Sequence, residues 1–167
     1  MDMRWQPPAR LKAIKSAAPQ QTTAPRICIL GGGFGGLYCA LALPKYLKRL
    51  PHGATVTLVE PQERFLFTPL LYELLTEELM PWEISPSYAQ LLGHTGINIL
   101  HDWAERIDPH HQKVELRCGE PLAYDYLVVA LGSQMRTPNI KGGDAHALPF
   151  ANLAHEWQLE ERLARLE

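Results

Sequence analysis

An α/β fold built on a parallel sheet follows from three features of the sequence. The short apolar run Arg26 to Leu30 ends in a glycine cluster that opens a helical stretch. A second, β-branched run, Thr55 to Val59, ends at an acid, Glu60. A third, Tyr126 to Ala130, is wholly apolar and closes on Ala130-Leu-Gly132. Strands without polar alternation belong in parallel sheets covered on both faces, and strand, helix and strand in succession form one right-handed crossover.

The elements follow in order. After Arg26 to Leu30, residues Phe34 to Leu43 read as a helix stopped by Pro44, whose ring cannot continue a helical ladder. A linker around Pro51 and Gly53 leads to Thr55 to Val59. Thr68 to Met80 and Ser85 to Leu92 carry enough Leu, Glu and Tyr to be helices, with Pro69 tolerated in a first turn. Ile97 to Leu100, Ala104 to Ile107 and Lys113 to Leu116 read as short strands, the last with polar and apolar residues alternating, and give a small β-meander. Tyr126 to Ala130 is expected at the centre of the sheet. A final helix begins near Leu153, with Leu153, Trp157, Leu163 and Leu166 as its apolar face.

Composition narrows the function classes. The chain has 167 residues, room for one domain with a sizeable core but not for two nucleotide domains and a substrate domain. A net charge of −2 favours no nucleic-acid partner. The longest apolar stretches, such as Leu37 to Leu43, fall well short of the ~18 to 20 residues that cross a bilayer. Cys28, Cys39 and Cys118 form no Cys-x-x-Cys pair, and the adjacent His110 and His111 point apart, so no metal site is expected. Residues 1 to 25 carry Arg4, Arg10, Lys12 and Lys15 with only Asp2 opposing, four prolines and a Gln-Gln-Thr-Thr stretch. They read either as a disordered leader or as an organelle transit segment, without the apolar core of a secretory signal.

Residues Gly31 to Gly36 contain Gly-x-Gly-x-x-Gly between a strand and a helix, the placement that gives this motif its meaning. Gly31 permits the tight turn, the bare Gly33 lets a pyrophosphate approach the backbone, and Gly36 lets the helix pack closely on the strand. Helix-start amides then face the anion. Glu60, 29 residues beyond Gly31, is the carboxylate expected on the adenosine ribose hydroxyls. The usual interval is about 20 residues beyond the motif, and the Pro44 to Gly53 loop accounts for the excess. A carboxylate there repels a 2′-phosphate, so NADP is not expected at this turn. Ala130-Leu-Gly132 ends the third strand beside it, where ligands of such sheets sit. Together these features describe a Rossmann-like dinucleotide-binding domain.

The segments Pro25 to Tyr38, Arg64 to Glu78, Trp82 to Pro86 and Tyr124 to Ser133, in that order, resemble type II NAD(P)H:quinone oxidoreductases, with the likeness strongest to the demethylphylloquinone reductase branch of cyanobacteria and plastids. The resemblance implies an FAD-binding domain in a flavoprotein with two dinucleotide-binding domains, in which NAD(P)H reduces FAD and FAD reduces a membrane quinone. It assigns Gly31, Gly33, Phe34, Gly35 and Gly36 to the FAD pyrophosphate turn and Glu60 to the ribose. It puts Arg64 beside the cofactor, Thr68, Pro69 and Leu70 near the isoalloxazine, Ala104 near the adenine, and Ala130 and Gly132 along the cofactor. Disulfide reductases of related fold carry a cysteine pair after the second strand, and residues 61–93 contain no cysteine.

The resemblance also implies features that this sequence does not contain: a second glycine motif for NAD(P)H, a later flavin-side Gly-Asp segment and an amphipathic membrane region. The chain is therefore expected to be the N-terminal part of a larger enzyme, with residues 1–25 a leader, 26–150 an incomplete FAD domain and 151–167 a helix leading toward the NAD(P)H domain. The implied location is the cytoplasmic side of a thylakoid or plasma membrane, or a plastid. NADH versus NADPH, the quinone and the oligomeric state stay open. The rival reading is a non-catalytic flavin- or dinucleotide-binding module, or an inactive fragment.

Overall fold

The computed structural model describes residues 24–49, 53–133 and 140–165. The expected leader lies outside them, apart from its last two residues, as do Pro51 and Leu166.

Strands β1 (Arg26–Leu30), β2 (Thr55–Val59) and β3 (Asn98–Leu100) and the later β7 (Tyr126–Val129) form one parallel sheet in the order β3-β2-β1-β7. Leu30 is level with Val59 on one side and Val129 on the other, so three strand ends meet at one edge. Strands β4 (Ala104–Asp108), β5 (Lys113–Leu116) and β6 (Leu122–Ala123) make the antiparallel meander. The two-residue β6 is the one strand among the described residues that the sequence did not announce.

Period-two alternation divides the parallel sheet between two cores. Ile29, Val56 and Leu58 pack under helix α1 (Phe34–Leu47) with Phe65, Tyr88 and Leu92. Cys28, Leu30 and Val59 face the other way, onto Val114 and Tyr124 of the meander layer. The result is three layers, with the parallel sheet as the shared plate. Cys28 is buried in the second core, and burial pushes its thiol up to about 11, so it behaves as a small apolar residue.

Four expectations about elements need correction. Pro44 does not stop α1, which continues to Leu47 because Leu43 and Leu47 both reach the first core, offsetting the missing backbone bond. The single helix expected over Thr68 to Met80 is instead a 3-10 turn (Thr68–Leu70) and a short α2 (Tyr72–Leu75), after which the chain reverses through Glu77 at φ 56°. Leu71, Leu74 and Leu79 gather with Ile84 of α3 (Pro81–Ile84) in a satellite core that a straight helix could not close. The helix expected from Ser85 is α4 (Tyr88–Leu92), capped by Ser87, because residues 84 to 87 first pair back along the chain. Phe67 N–H donates to Ile84 O at 2.9 Å and Phe65 N–H to Pro86 O at 3.0 Å.

The fourth correction concerns the ends of the fold. β7 is paired on one side only among the described residues, and Tyr126 and Val129 are exposed, so it is not covered on both faces. After α5 (Gly143–His146) comes α6 (Leu153–Ala164), where Leu153 joins the satellite core but Trp157 and Leu163 stay exposed. The buried residue of α6 is Glu156, whose carboxyl is pushed up by burial, with Glu160 adding to the shift.

Asp102 locks the meander to the parallel sheet. It sits between β3 and β4, 6% exposed, and its carboxylate accepts N–H bonds from Trp103 at 2.7 Å, Cys118 at 3.1 Å and Gly119 at 2.8 Å. Burial alone would raise this carboxyl; the backbone donors, Trp103 first, outweigh it and hold the group below its ordinary 3.8. A depressed folded value stabilises above the unfolded value and is lost as pH falls through the folded one. Asp102→Asn is therefore expected to lower Tm at neutral pH and to flatten the acid limb of the Tm profile, followed by circular dichroism down to about pH 2. An unchanged acid limb would remove Asp102 from this role.

Candidate functional site

The site begins where β1 meets α1. Gly31 sits at φ +93°, and a Cβ there would collide with the carbonyl of Ala130 at the end of β7. Gly36 lies so close to the Gly31 carbonyl that any side chain would displace the turn. Both glycines are thus required by the approach of strand ends and helix. Gly33 differs: it caps α1 at the N-terminus, and the space where its Cβ would lie is open. No side chain caps this helix start, and its first turn holds no acidic residue. The early amides of a 14-residue helix therefore face open space beside an exposed Gly33-Phe34-Gly35. An anion fits there; a neutral solvated turn would not need this clearance at Gly33. A Cβ on Gly35 would stand at ordinary contact distance, 3.6 Å, from the Ala130 side chain.

Gly32, which sequence reasoning passed over, is the most constrained residue of the turn. Its N–H donates to Glu60 Oε2 at 2.6 Å, and its carbonyl accepts from the buried Tyr88 hydroxyl at 2.9 Å. Glu60 Oε1 accepts from Gln62 N–H at 3.0 Å. A Cβ on Gly32 would strike the Tyr88 hydroxyl and stand 2.8 Å from Glu60 Cγ. Burial, with the Glu60 charge adding, pushes the Tyr88 hydroxyl up, so it stays a neutral donor. Tyr88 carries no sequence signal beyond the Ser87-to-Gln90 capping pattern that starts its helix.

Beside this turn Gly31, Val59, Glu60, Gln62, Trp103 and Ala104 border a cavity of about 210 Å³, with Asp102 and Leu131. Glu60, Ala104 and Leu131, far apart in sequence, thus converge on one opening; Ala130 and the exposed Gly132, at φ +73°, flank Leu131 without bordering the cavity. On the other side of α1 lies an apolar cavity of about 420 Å³, bordered by Phe34, Leu37, Tyr38, Phe65, Phe67 and Leu70 among others. Phe34 meets Phe65 and Phe67 edge-on, with centroids 5.2 and 5.3 Å away. Leu70 therefore joins Phe34, whereas Thr68 and Pro69 are exposed in the 3-10 turn. Arg64 is not in either cavity. Its Nε–H donates to Ser85 O at 2.8 Å, and it borders a third groove that shares Pro61 and Gln62 with the first cavity. Phe65, Phe67, Asp102, Trp103 and Tyr88 are the site residues that spacing did not single out.

Among the described residues no grouping of His, Cys, Asp or Glu could hold a metal. His111 instead donates to Asp108, its backbone N–H and ring together pushing that carboxyl down to about 2. No described helix is long and apolar enough to cross a membrane.

This arrangement recurs in known proteins. Residues 25–166 match the sequence model of the pyridine nucleotide-disulphide oxidoreductases. The chain is 44% identical over 147 residues to demethylphylloquinone reductase NdbB of Synechocystis, covering 86% of this chain and 36% of that protein. It is 40% identical over 156 residues to the alternative NAD(P)H-ubiquinone oxidoreductase C1 of Arabidopsis thaliana, covering 86% and 30%. The sulfide:quinone oxidoreductase structure from Aquifex aeolicus superposes with a TM-score of 0.76 at 27% identity, covering 86% of this chain and 32% of that one. NDH2 of Plasmodium falciparum in complex with NADH superposes at 0.71 and 25% identity, covering 85% and 29%. The chain spans about a third of the length of these relatives. Family and structural neighbours together imply a flavin cofactor. With its glycine turn, its Glu60 and its three strand ends meeting at one edge, the chain belongs to the pyridine nucleotide-disulphide oxidoreductase family.

Proposed function

We propose that this chain is the FAD-binding part of an NAD(P)H:quinone oxidoreductase of the type II class, of the demethylphylloquinone reductase kind. The observation that carries the proposal is the uncapped start of α1 with clear space at Gly33, directly beside the Glu60 cavity. That geometry suits a pyrophosphate joined to an adenosine. Bound FAD would supply the hydride and electron chemistry between NAD(P)H and quinone. The chain's own residues position it: the backbone of Gly31 to Gly36 receives the phosphates, Glu60 accepts from the ribose hydroxyls while holding the turn, and Ala104 borders the adenine. Ala130 and Gly132 line the path between the two ends.

For the flavin end, the apolar cavity of Phe34, Phe65, Phe67 and Leu70 supplies a dry wall; Thr68 and Pro69, exposed in the turn between Phe67 and Leu70, are assigned to the isoalloxazine side. Arg64, anchored on Ser85, is assigned to the side of the cofactor facing the third groove. A membrane quinone as acceptor places the enzyme at the cytoplasmic side of a thylakoid or plasma membrane, or in a plastid. The rival reading, a flavin-holding module without turnover, is favoured for the chain on its own, because its sequence has one phosphate-binding glycine turn.

Three outcomes are expected. Gly33→Val fills the space needed by the pyrophosphate, so purified protein should lose flavin absorbance with an unchanged far-ultraviolet circular dichroism spectrum; full flavin occupancy would move the phosphate site elsewhere. Glu60→Ala removes charge-assisted bonds worth about 1.5 to 3 kcal/mol, so apo-protein titrated with FAD should bind roughly 10- to 150-fold more weakly. Equal affinity would mean that the ribose is recognised by another group. Finally, anaerobic stopped-flow mixing of the flavin-loaded 167-residue chain with NADH or NADPH should leave the flavin band unbleached on a catalytic timescale. Positioning of the nicotinamide can supply on the order of 7 to 11 kcal/mol of the barrier, and one glycine turn cannot hold two dinucleotides. Rapid bleaching would reveal a nicotinamide site in this chain.

A further inference from the structure

We propose that Trp103 is a purine-stacking wall at the adenosine end of the site, backed by Arg117, and that it makes this end select an adenine-bearing cofactor. The inference rests on the FAD reading and deepens it. Trp103 borders the cavity that Glu60 enters, yet 50% of the residue remains exposed. A lone exposed aromatic is ordinary, but this one is held through its backbone N–H and carbonyl and has a cation over its ring. Its N–H donates to Asp102 Oδ1 at 2.7 Å and its carbonyl accepts from Arg117 N–H at 3.0 Å. The Arg117 guanidinium lies over the indole, 5.1 Å from the ring centroid, and is itself held by Glu105 Oε1 at 2.9 Å from Nε. Asp102 in turn gathers Cys118 and Gly119, so the turn carrying Trp103 is tied to the neighbouring hairpin.

Such restraint removes in advance the backbone freedom of the residue, and the guanidinium over the ring narrows the side-chain freedom that an aromatic loses when it receives a ligand. The indole is then a flat, electron-rich surface on the border of the cavity that Glu60 also borders, where a purine joined to a Glu60-bound ribose would lie. Arg117 guards the indole from the meander side and cannot itself bond the base through Nε, which Glu105 occupies. FMN, which has a phosphate but no base at that end, would gain nothing from Trp103.

The test uses the complete chain with ADP, ribose 5-phosphate and FMN as probes, for wild type, Trp103→Ala, Trp103→Phe and Gly33→Val. Trp103→Ala is expected to weaken ADP roughly 5- to 150-fold, the range for loss of one base-stacking aromatic. Ribose 5-phosphate and FMN should be unaffected, and Trp103→Phe should recover most of the ADP affinity. A protein with Trp5, Trp82 and Trp157 replaced by phenylalanine should show ADP-dependent quenching of its remaining indole. Equal weakening of ADP and ribose 5-phosphate by Trp103→Ala would reduce the residue to a structural role and overturn the proposal. ADP binding that Trp103→Ala leaves intact and Gly33→Val abolishes would also overturn it, while sparing the FAD reading. Failure of the wild-type chain to bind ADP would overturn both.

Discussion

Gly32 is held on both sides, by the Glu60 carboxylate at its N–H and by the Tyr88 hydroxyl at its carbonyl, and the geometry of the glycine turn depends on that clamp. A glycine-rich turn is otherwise free to sample many backbone conformations, and an ordered anion cradle would then lose binding energy to its own ordering. Here a residue at the end of β2 and another on α4 fix the two successive peptide planes that flank the Gly32 Cα, so the chain enters α1 from a defined geometry. Glu60 consequently has two tasks. One oxygen holds Gly32, the other accepts from Gln62, and the remaining lone pairs are what a ribose can use.

The same clamp explains why Gly32 cannot be anything else. Its missing side chain serves a protein partner, Tyr88, whereas the missing side chain at Gly33 serves the empty side of the turn. Gly31 and Gly36 answer to a third demand, the meeting of β1, β7 and α1 at one point. Four of the five glycines in residues 31–36 therefore answer to three different demands, which converge on one crossing of strand and helix.

Local pattern carried the strands and the turn. β1, β2, β4 and β5 begin where the sequence puts them, because β-branched and apolar runs bounded by Gly, Pro or acid leave little choice of register. Residues 61–92 were less legible. There the helix-forming residues Leu71, Leu74 and Leu79 are used to build a satellite core with Ile84, and the chain bends to reach it. Helix propensity differences of a few tenths of a kcal/mol per residue cannot compete with burial of whole leucine side chains. α6 misled for the opposite reason: its apolar residues are spaced as a face, but of the described ones Leu153 joins a core while Trp157 and Leu163 stay exposed. Around the turn, the steric roles of Gly31 and Gly36 were legible because they are local to the meeting of strand and helix, and Glu60 stood out because it ends a strand. Tyr88, Asp102 and Trp103 were not, since each acts across a separation of elements that no spacing rule records.

The meander layer, remote from the phosphate turn in sequence, forms half of the site. It rests on the parallel sheet through Val114 and Tyr124 against Cys28, Leu30 and Val59, and its turns are gathered by one carboxylate, Asp102. The phosphate half, by contrast, rests on α1 and α4 over the opposite face. The two halves share only the plate between them and the Glu60 side chain at its edge. Loosening the meander would therefore act on the base-facing wall without displacing the helix-start amides, and loosening α4 would act through Tyr88 on the turn without moving Trp103. A dinucleotide that spans both halves senses both packings at once, which makes its binding a report on whether the three layers are assembled together.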